Sequence, residues 1–258
     1  MELEEILKSL KNGKLSTAQA KKLLSLYSID KIGDFAKIDT GRKNRRGIPE
    51  VIFAENKQLD DIKKIIQQTL KRTNSVLVSR IKKNDYDKIV AFGKKIKIRM
   101  DRGKNSTSIL FYKKPIKISY GMVGILCAGT SDIGIAEESR LMCKSMNCKT
   151  VCHYDVGVAG MHRLFPVLKE LIAEDIDVII TVAGMEGALA TVVSSLVDVP
   201  VIGVPSSVGY GYGKRGIAAL AAMLQSCALG MSVVNIDNGI GAGAVAANIC
   251  HRISTKKK

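Results

Sequence analysis

The chain has little of what marks several classes of protein. No apolar run reaches the roughly 18 residues that a membrane-spanning helix needs. Among 258 residues there is no tryptophan, and aromatic residues make up 5%. That leaves no stacking platform for single-stranded nucleic acid. Six cysteines are too sparse for a disulfide scaffold. The opening MELEEILKSLKNGK is acidic where a secretory signal would be basic and then apolar. These absences lead us to expect a soluble, cytoplasmic protein with reduced thiols. Internal repeats are lacking, and the sole low-complexity tract is the closing STKKK.

What is present is globular in composition, with 46% hydrophobic and 25% charged residues. The net charge of +16 is unevenly spread. Residues 1–120 carry 29 basic and 13 acidic side chains, whereas 121–258 carry 11 of each. Glycine divides the other way, with 6 of 23 in the first segment. Two domains are expected, a basic α+β domain at 1–118 and an α/β domain at 119–254, with a basic tail at 255–258. A charge of this size suggests nucleic acid, whose binding would weaken steeply with salt. The cations, however, are mostly lysines spread through expected helices and strands. A solvated face accounts for them better, which argues against a nucleic-acid partner.

The pattern before residue 30 is helical, with Ser16 and Thr17 placed to cap a helix over 18–27. Residues 36–50, AKIDTGRKNRRGIPE, lose that periodicity and read as a basic loop or arm. Strands are expected at 51–54, 75–81, 96–100 and 108–112, with helices at 59–72 and 85–92. From Gly121 onward, short runs rich in Val and Ile at 122–127, 150–154, 178–182, 201–204 and 232–236 alternate with helical segments near 134–145, 161–173, 187–196, 217–226 and 242–252. This alternation predicts right-handed βαβ units around a parallel sheet, a doubly wound three-layer domain. Ligands in such domains sit beyond the carboxyl ends of the strands, so the loops there matter most.

The first loop, AGTSDIGIAEES, puts Thr130, Ser131 and Asp132 at a helix start. They can serve as an N-cap or as a phosphate and ribose site, and both readings stay open. The second, YDVGVAGMHRLF, contains Asp155 and sets Gly160 before His162 and Arg163. Small residues let the backbone approach a ligand, and a guanidinium suits phosphate. In the third, Gly184 and Met185 precede Glu186, the lone acid of an apolar stretch. Glu186 is either stabilised by a helix dipole or is a general base in a partly desolvated pocket. The fourth loop holds Ser207 and Gly209, and the fifth Asn238 and Gly239. Both contain glycine patterns resembling a dinucleotide fingerprint, yet neither opens the first βαβ unit. Cys143, Cys148 and Cys152 have no zinc-like spacing and read as buried packing thiols, as does Cys227 on its own.

Taken together, AGTSD, DVGVAGMHRL, MEGALATVV, PVIGVPSSVGYG and SCALGMSVVNIDNGIGAG resemble the LarB family, the carboxylase/hydrolase of nickel-pincer nucleotide biosynthesis. Its carboxyl-terminal domain is similar to the class I aminoimidazole ribonucleotide carboxylases and mutases of purine synthesis, a PurE-like, flavodoxin-like fold. The segment IDTGRKNRRGIPEV matches the same family through Asp39, Arg42, Arg45, Gly47, Pro49 and Glu50. The purine enzymes lack that segment and the SCALG cysteine. Two departures are Ala190, where the family often has proline, and the charges Lys214 and Arg215 in a loop usually more neutral.

The resemblance implies carboxylation of the pyridinium ring of nicotinic acid adenine dinucleotide with CO2 or bicarbonate, and hydrolysis of the phosphoanhydride. The products would be pyridinium-3,5-biscarboxylic acid mononucleotide and AMP. It gives Cys227 the role of covalent nucleophile and Glu186 that of base. Ser131, Asp132, His162 and Arg163 would hold ribose and phosphate, and Arg42 and Arg45 the pyrophosphate or carboxylate. No tightly bound cofactor is implied. Mg2+ meeting Asp132 is left open, and a homo-oligomer, an octamer by resemblance, is expected.

Overall fold

The computed structural model describes residues 3–24, 30–32, 36–38 and 47–256. Helices α1 (Leu3–Lys11) and α2 (Thr17–Leu24) come first. Ser16 caps α2 reciprocally. Its hydroxyl accepts the Gln19 N–H at 3.2 Å, and Gln19 Oε1 accepts the Ser16 N–H at 2.8 Å. Strands β1 (Asp30–Ile32) and β2 (Ala36–Ile38) pair antiparallel. This corrects the reading of 36–50 as wholly irregular, since three paired residues are too few to leave a periodicity.

Next come β3 (Val51–Phe53), α3 (Leu59–Arg72), β4 (Ser75–Ser79), α4 (Lys83–Lys95), β5 (Arg99–Arg102) and β6 (Ile109–Tyr112). The four strands form one sheet in the order β3-β4-β6-β5, with β3 and β4 parallel and the other pairs antiparallel. In α3 the apolar residues Ile62, Ile65, Ile66 and Leu70 recur at helical spacing and line one face. They pack with Ile89, Val90, Val76, Val78, Ile109 and Phe111 as one core.

The second sheet alternates with helices: β7 (Tyr120–Cys127), α5 (Ile133–Ser145), β8 (Cys148–His153), α6 (Leu164–Ala173), β9 (Val178–Ala183), α7 (Ala188–Ser194), β10 (Val201–Pro205), α8 (Ile217–Leu224), β11 (Met231–Val233) and α9 (Gly239–Lys256). All five strands are parallel, in the order β11-β10-β9-β7-β8. The fold is the expected doubly wound, flavodoxin-like α/β architecture. Every residue of β9 and β10 is buried, as strands covered on both faces must be. Helices α5 and α9 pack on one face and α6 and α7 on the other. The strand order reverses between β7 and β9, and the carboxyl edge at such a reversal is where ligands bind in open α/β sheets.

Several boundaries differ from the expected ones, two of them beside the fifth strand-end loop. Strand β11 stops at Val233, and beyond it Asp237 takes a left-handed turn (φ 55°) with its N–H on the Pro205 carbonyl at 2.9 Å. Helix α9 starts at Gly239, capped by Asn238 Oδ1 on the Gly241 N–H at 2.8 Å, and runs into the basic tail. Cys143 on α5 and Cys148 on β8 are buried in the core, and burial pushes the Cys143 thiol well up.

The two sheets share a core. Leu77 and Leu110 pack in the same cluster as Val123, Leu141 and Met142. Beside it, Arg140 on α5 bridges Asp101 on β5 (2.8 Å) and Glu137 (2.9 Å), with Lys144 also on Asp101 and the Tyr154 hydroxyl on Glu137. Burial opposes ionisation of Asp101 and Glu137, but these partners outweigh it and hold both carboxyls below their ordinary values.

Candidate functional site

At the carboxyl edge, backbone hydrogen bonds bind neighbouring loops together. After β7, the Ala128 N–H bonds Val182 O at 2.9 Å, which draws the first loop over β9. The Gly129 N–H donates to Asp132 Oδ2 at 2.9 Å. Asp132 is only 4% exposed, and its other oxygen, Oδ1, has no hydrogen-bond partner among the described residues. Burial raises its carboxyl and the Asp237 charge adds to this, while the nearby Ser206 hydroxyl and the Gly129 N–H oppose it. The cap reading therefore explains one oxygen and leaves the other enclosed near the Ser206 hydroxyl, without a partner in hydrogen-bond geometry among the described residues. Thr130 and Ser131 stand exposed beside it.

The second loop is pinned below the first, with Gly157 N–H on Ala128 O at 2.9 Å. Asp155 takes a left-handed conformation (φ 61°) and pairs with Arg163 Nη1 at 2.6 Å. Arg163 Nε also donates to Gly160 O at 3.4 Å, so its guanidinium is held over a buried glycine. His162 and Arg163 are exposed.

After β9, the Met185 N–H bonds Val208 O at 3.1 Å. A side chain at Gly184 would collide with that same carbonyl oxygen, so only glycine lets the third and fourth loops touch. Met185 and Glu186 are exposed. The partly desolvated pocket expected around Glu186 is not formed by its own chain, because the loop turns it outward. Any desolvation must come from substrate or from another copy.

The fourth and fifth loops lock together through Asp237. Its Oδ1 accepts the Ser207 N–H at 2.8 Å. Ser206, fully buried, bonds Ala183 O through its N–H at 2.9 Å. Gly239 lies so close to α5 that a Cβ there would strike the Ile135 carbonyl oxygen. Gly209 and Asn238 flank these contacts.

Thus Thr130, Ser131, Asp132, Asp155, Gly160, His162, Arg163, Gly184, Met185, Glu186, Ser207, Gly209, Asn238 and Gly239 share one edge of the sheet. Cys227 does not. The Val201 N–H bonds Gly230 O at 3.1 Å, which fixes residues 226–230 at the amino edge, where β10 begins. A five-residue strand spans roughly 16 Å, so Cys227 and Glu186 of one chain lie at opposite ends of the sheet. Its thiol is exposed. Arg42 and Arg45 lie outside the described residues. The sequence reading missed Ser206 and Asp237, whose signal was a turn-forming NIDNG and a serine beside Ser207.

Among the described residues no group of three or more His, Cys, Asp and Glu is arranged to hold a metal, and no helix is long and apolar enough to cross a membrane.

Comparison with known proteins bears on the family. Residues 29–101 match the LarB/PurE-like N-terminal domain family, and residues 122–257 match the AIR carboxylase family. A protein of Methanocaldococcus jannaschii described as uncharacterized is 40% identical over 97% of this chain and 98% of its own length. The N5-carboxyaminoimidazole ribonucleotide mutase of the same organism is 31% identical over 50% of this chain and 78% of its own. The solved structure of a single-substitution variant of Treponema denticola PurE2 covers 53% of this chain and 92% of its own at 22% identity, with a TM-score of 0.40. With a LarB/PurE-like amino-terminal domain joined to an AIR carboxylase domain, the chain belongs to the LarB family, within the wider carboxylase family.

Proposed function

We propose that the protein carboxylates the pyridinium ring of nicotinic acid adenine dinucleotide and hydrolyses its phosphoanhydride, yielding pyridinium-3,5-biscarboxylic acid mononucleotide and AMP, the first step of nickel-pincer nucleotide formation. The observation that carries the reading is the buried Asp132, in the loop after β7, whose Oδ1 lacks a partner among the described residues. A buried acceptor of this kind favours a ligand that brings a donor or a cation, such as a ribose hydroxyl. Arg163, held by Asp155 on the same edge, supplies a guanidinium for a phosphate.

An electron-poor pyridinium cannot attack CO2. Addition of the Cys227 thiolate forms a C–S bond and removes the ring's positive charge, leaving a dihydropyridine with a nucleophilic enamine carbon. That carbon takes up CO2 as a carboxylate. Glu186 then removes the proton from the same carbon, the electron pair restores the ring, and the thiolate leaves. Water cleaves the phosphoanhydride. Asp132 offers a hard oxygen of the kind Mg2+ takes when phosphates and water complete its shell. Mg2+ held there would offset charge on the phosphoanhydride.

Because Cys227 and Glu186 occupy opposite edges, this chemistry calls for a homo-oligomer in which one copy lends its thiol to the carboxyl edge of another. Exposed apolar groups on and near α8 support such an assembly: Ile217 (61% exposed), Leu224 (68%), Leu229 (92%) and Tyr210 (77%). An octamer, as the resemblance implies, is the expected form.

The test is incubation with nicotinic acid adenine dinucleotide, bicarbonate and Mg2+, read by mass spectrometry. AMP and a species one carboxyl group heavier than nicotinate mononucleotide are expected. Absence of that species while an aminoimidazole ribonucleotide turns over would reassign the protein to the purine reaction.

A further inference from the structure

Two consecutive residues at the end of β4 cross from the amino-terminal sheet to the candidate site. The buried Ser79 hydroxyl donates to Glu138 Oε1 on α5 at 2.8 Å, and Ser108 donates to the same oxygen at 2.8 Å. The next residue, Arg80, is left-handed (φ 55°), a conformation that non-glycine residues hold only where their surroundings dictate it. Its Nη2 donates to the Asp237 carbonyl oxygen at 3.3 Å, while Nη1 pairs with Glu55 at 3.5 Å. Asp237 is left-handed as well, and it joins the loops after β10 and β11 by accepting from Ser207 and donating to Pro205. One guanidinium thus meets the Glu55 carboxylate and the Asp237 main-chain carbonyl, with Glu138 within its electrostatic reach.

We propose that Arg80 is a positioning residue, through which the amino-terminal unit sets Asp237, and with it Ser207 and Asn238, for substrate. A guanidinium suits this task because its planar fork can hold a carbonyl and a carboxylate at once, whereas an ammonium is a point charge. Ser79 fixes the strand end from which Arg80 reaches. The proposal rests on the reading that substrate reacts at the carboxyl edge.

The test uses the full-length chain with Arg80→Asn, because asparagine tolerates the left-handed backbone and so separates loss of the guanidinium from strain. Hydrogen exchange at residues 205–209 and 235–239 should quicken by about tenfold in local opening while the core of β9 stays protected. For the dinucleotide, KM should rise about tenfold with kcat within about threefold, and Arg80→Lys should recover part of the KM. Exchange at Ser207 and Asp237 equal to wild type, or an unchanged KM, overturns the proposal. If the wild-type protein does not turn over the dinucleotide, the substrate reading fails alone, and the exchange measurement still decides the role of Arg80. Should Arg80→Asn not fold, the same comparison on Arg80→Lys decides it: faster local opening than wild type is expected, and exchange equal to wild type overturns the proposal.

Discussion

The two edges of the five-stranded sheet are built on different terms. At the carboxyl edge each loop is bonded to its neighbour: Ala128 to Val182, Gly157 to Ala128, Met185 to Val208, Ser206 to Ala183 and Asp237 to Pro205. Asp132 is buried there and Gly184 has no room for a side chain. At the amino edge, the segment bearing Cys227 is tied by Thr191 to Ser226 and by Ser194 to Leu229. The thiol and Leu229 face solvent. A binding edge must be rigid, since ligand contacts depend on fixed geometry. A nucleophile that serves another copy must instead be exposed until the copies meet.

The largest effect should come from the amino edge. Cys227→Ala should lower carboxylation on the order of a thousandfold or more while leaving the melting temperature of the single chain unchanged, because the side chain is exposed. Normal turnover by that variant would remove the covalent step. Glu186→Gln should cost roughly a hundredfold or more in rate, as loss of a general base does. Mixing it with Cys227→Ala subunits, under conditions that let copies exchange, should restore part of the activity. No recovery in verified mixed oligomers would contradict a shared site.

A change at the carboxyl edge should act on both stability and activity. Gly184→Ala should destabilise by about 2 kcal/mol, the usual scale of overpacking, and raise KM as the third and fourth loops part. Denaturant unfolding gives the first quantity and steady-state kinetics the second. An unchanged midpoint would mean that the two loops need not touch.

The smallest effect concerns Glu138. Burial raises its carboxyl, against the pull of the Ser108 and Ser79 hydroxyls and Arg80. A carboxyl whose folded pKa lies above its unfolded value contributes stability below about pH 4.3 that is lost as pH rises through the folded value. Glu138→Gln should therefore match wild type in acid and become the more stable of the two toward neutral pH. Parallel melting curves across that range would sink the idea. Glu137, its neighbour, shifts the other way because Arg140 and the Tyr154 hydroxyl hold it.

Much of this was legible in the chain. Continuous Val- and Ile-rich runs announce strands buried on both faces, and β9 and β10 lie within a residue of their expected places. Helix α3 coincides with its expected span, since its apolar spacing and flanking polar residues mark both ends. The strand-end loops named from the sequence do converge on one edge. Illegible were the short β1–β2 pair, the left-handed turn at Asp237, and the reach of Arg80 to a residue 157 positions away. None of these leaves a periodic trace. A three-residue strand is too short, and a contact across units depends on how two sheets dock.

The sequence by itself determined the architecture and the family, because hydrophobic periodicity and loop motifs are local properties that each segment carries alone. Tertiary structure decided which oxygen of Asp132 is left without a partner among the described residues, that Glu186 faces outward, and that Cys227 sits a strand's length from the loops it would serve. Those are matters of burial and distance, which arise only when distant segments exclude water from one another.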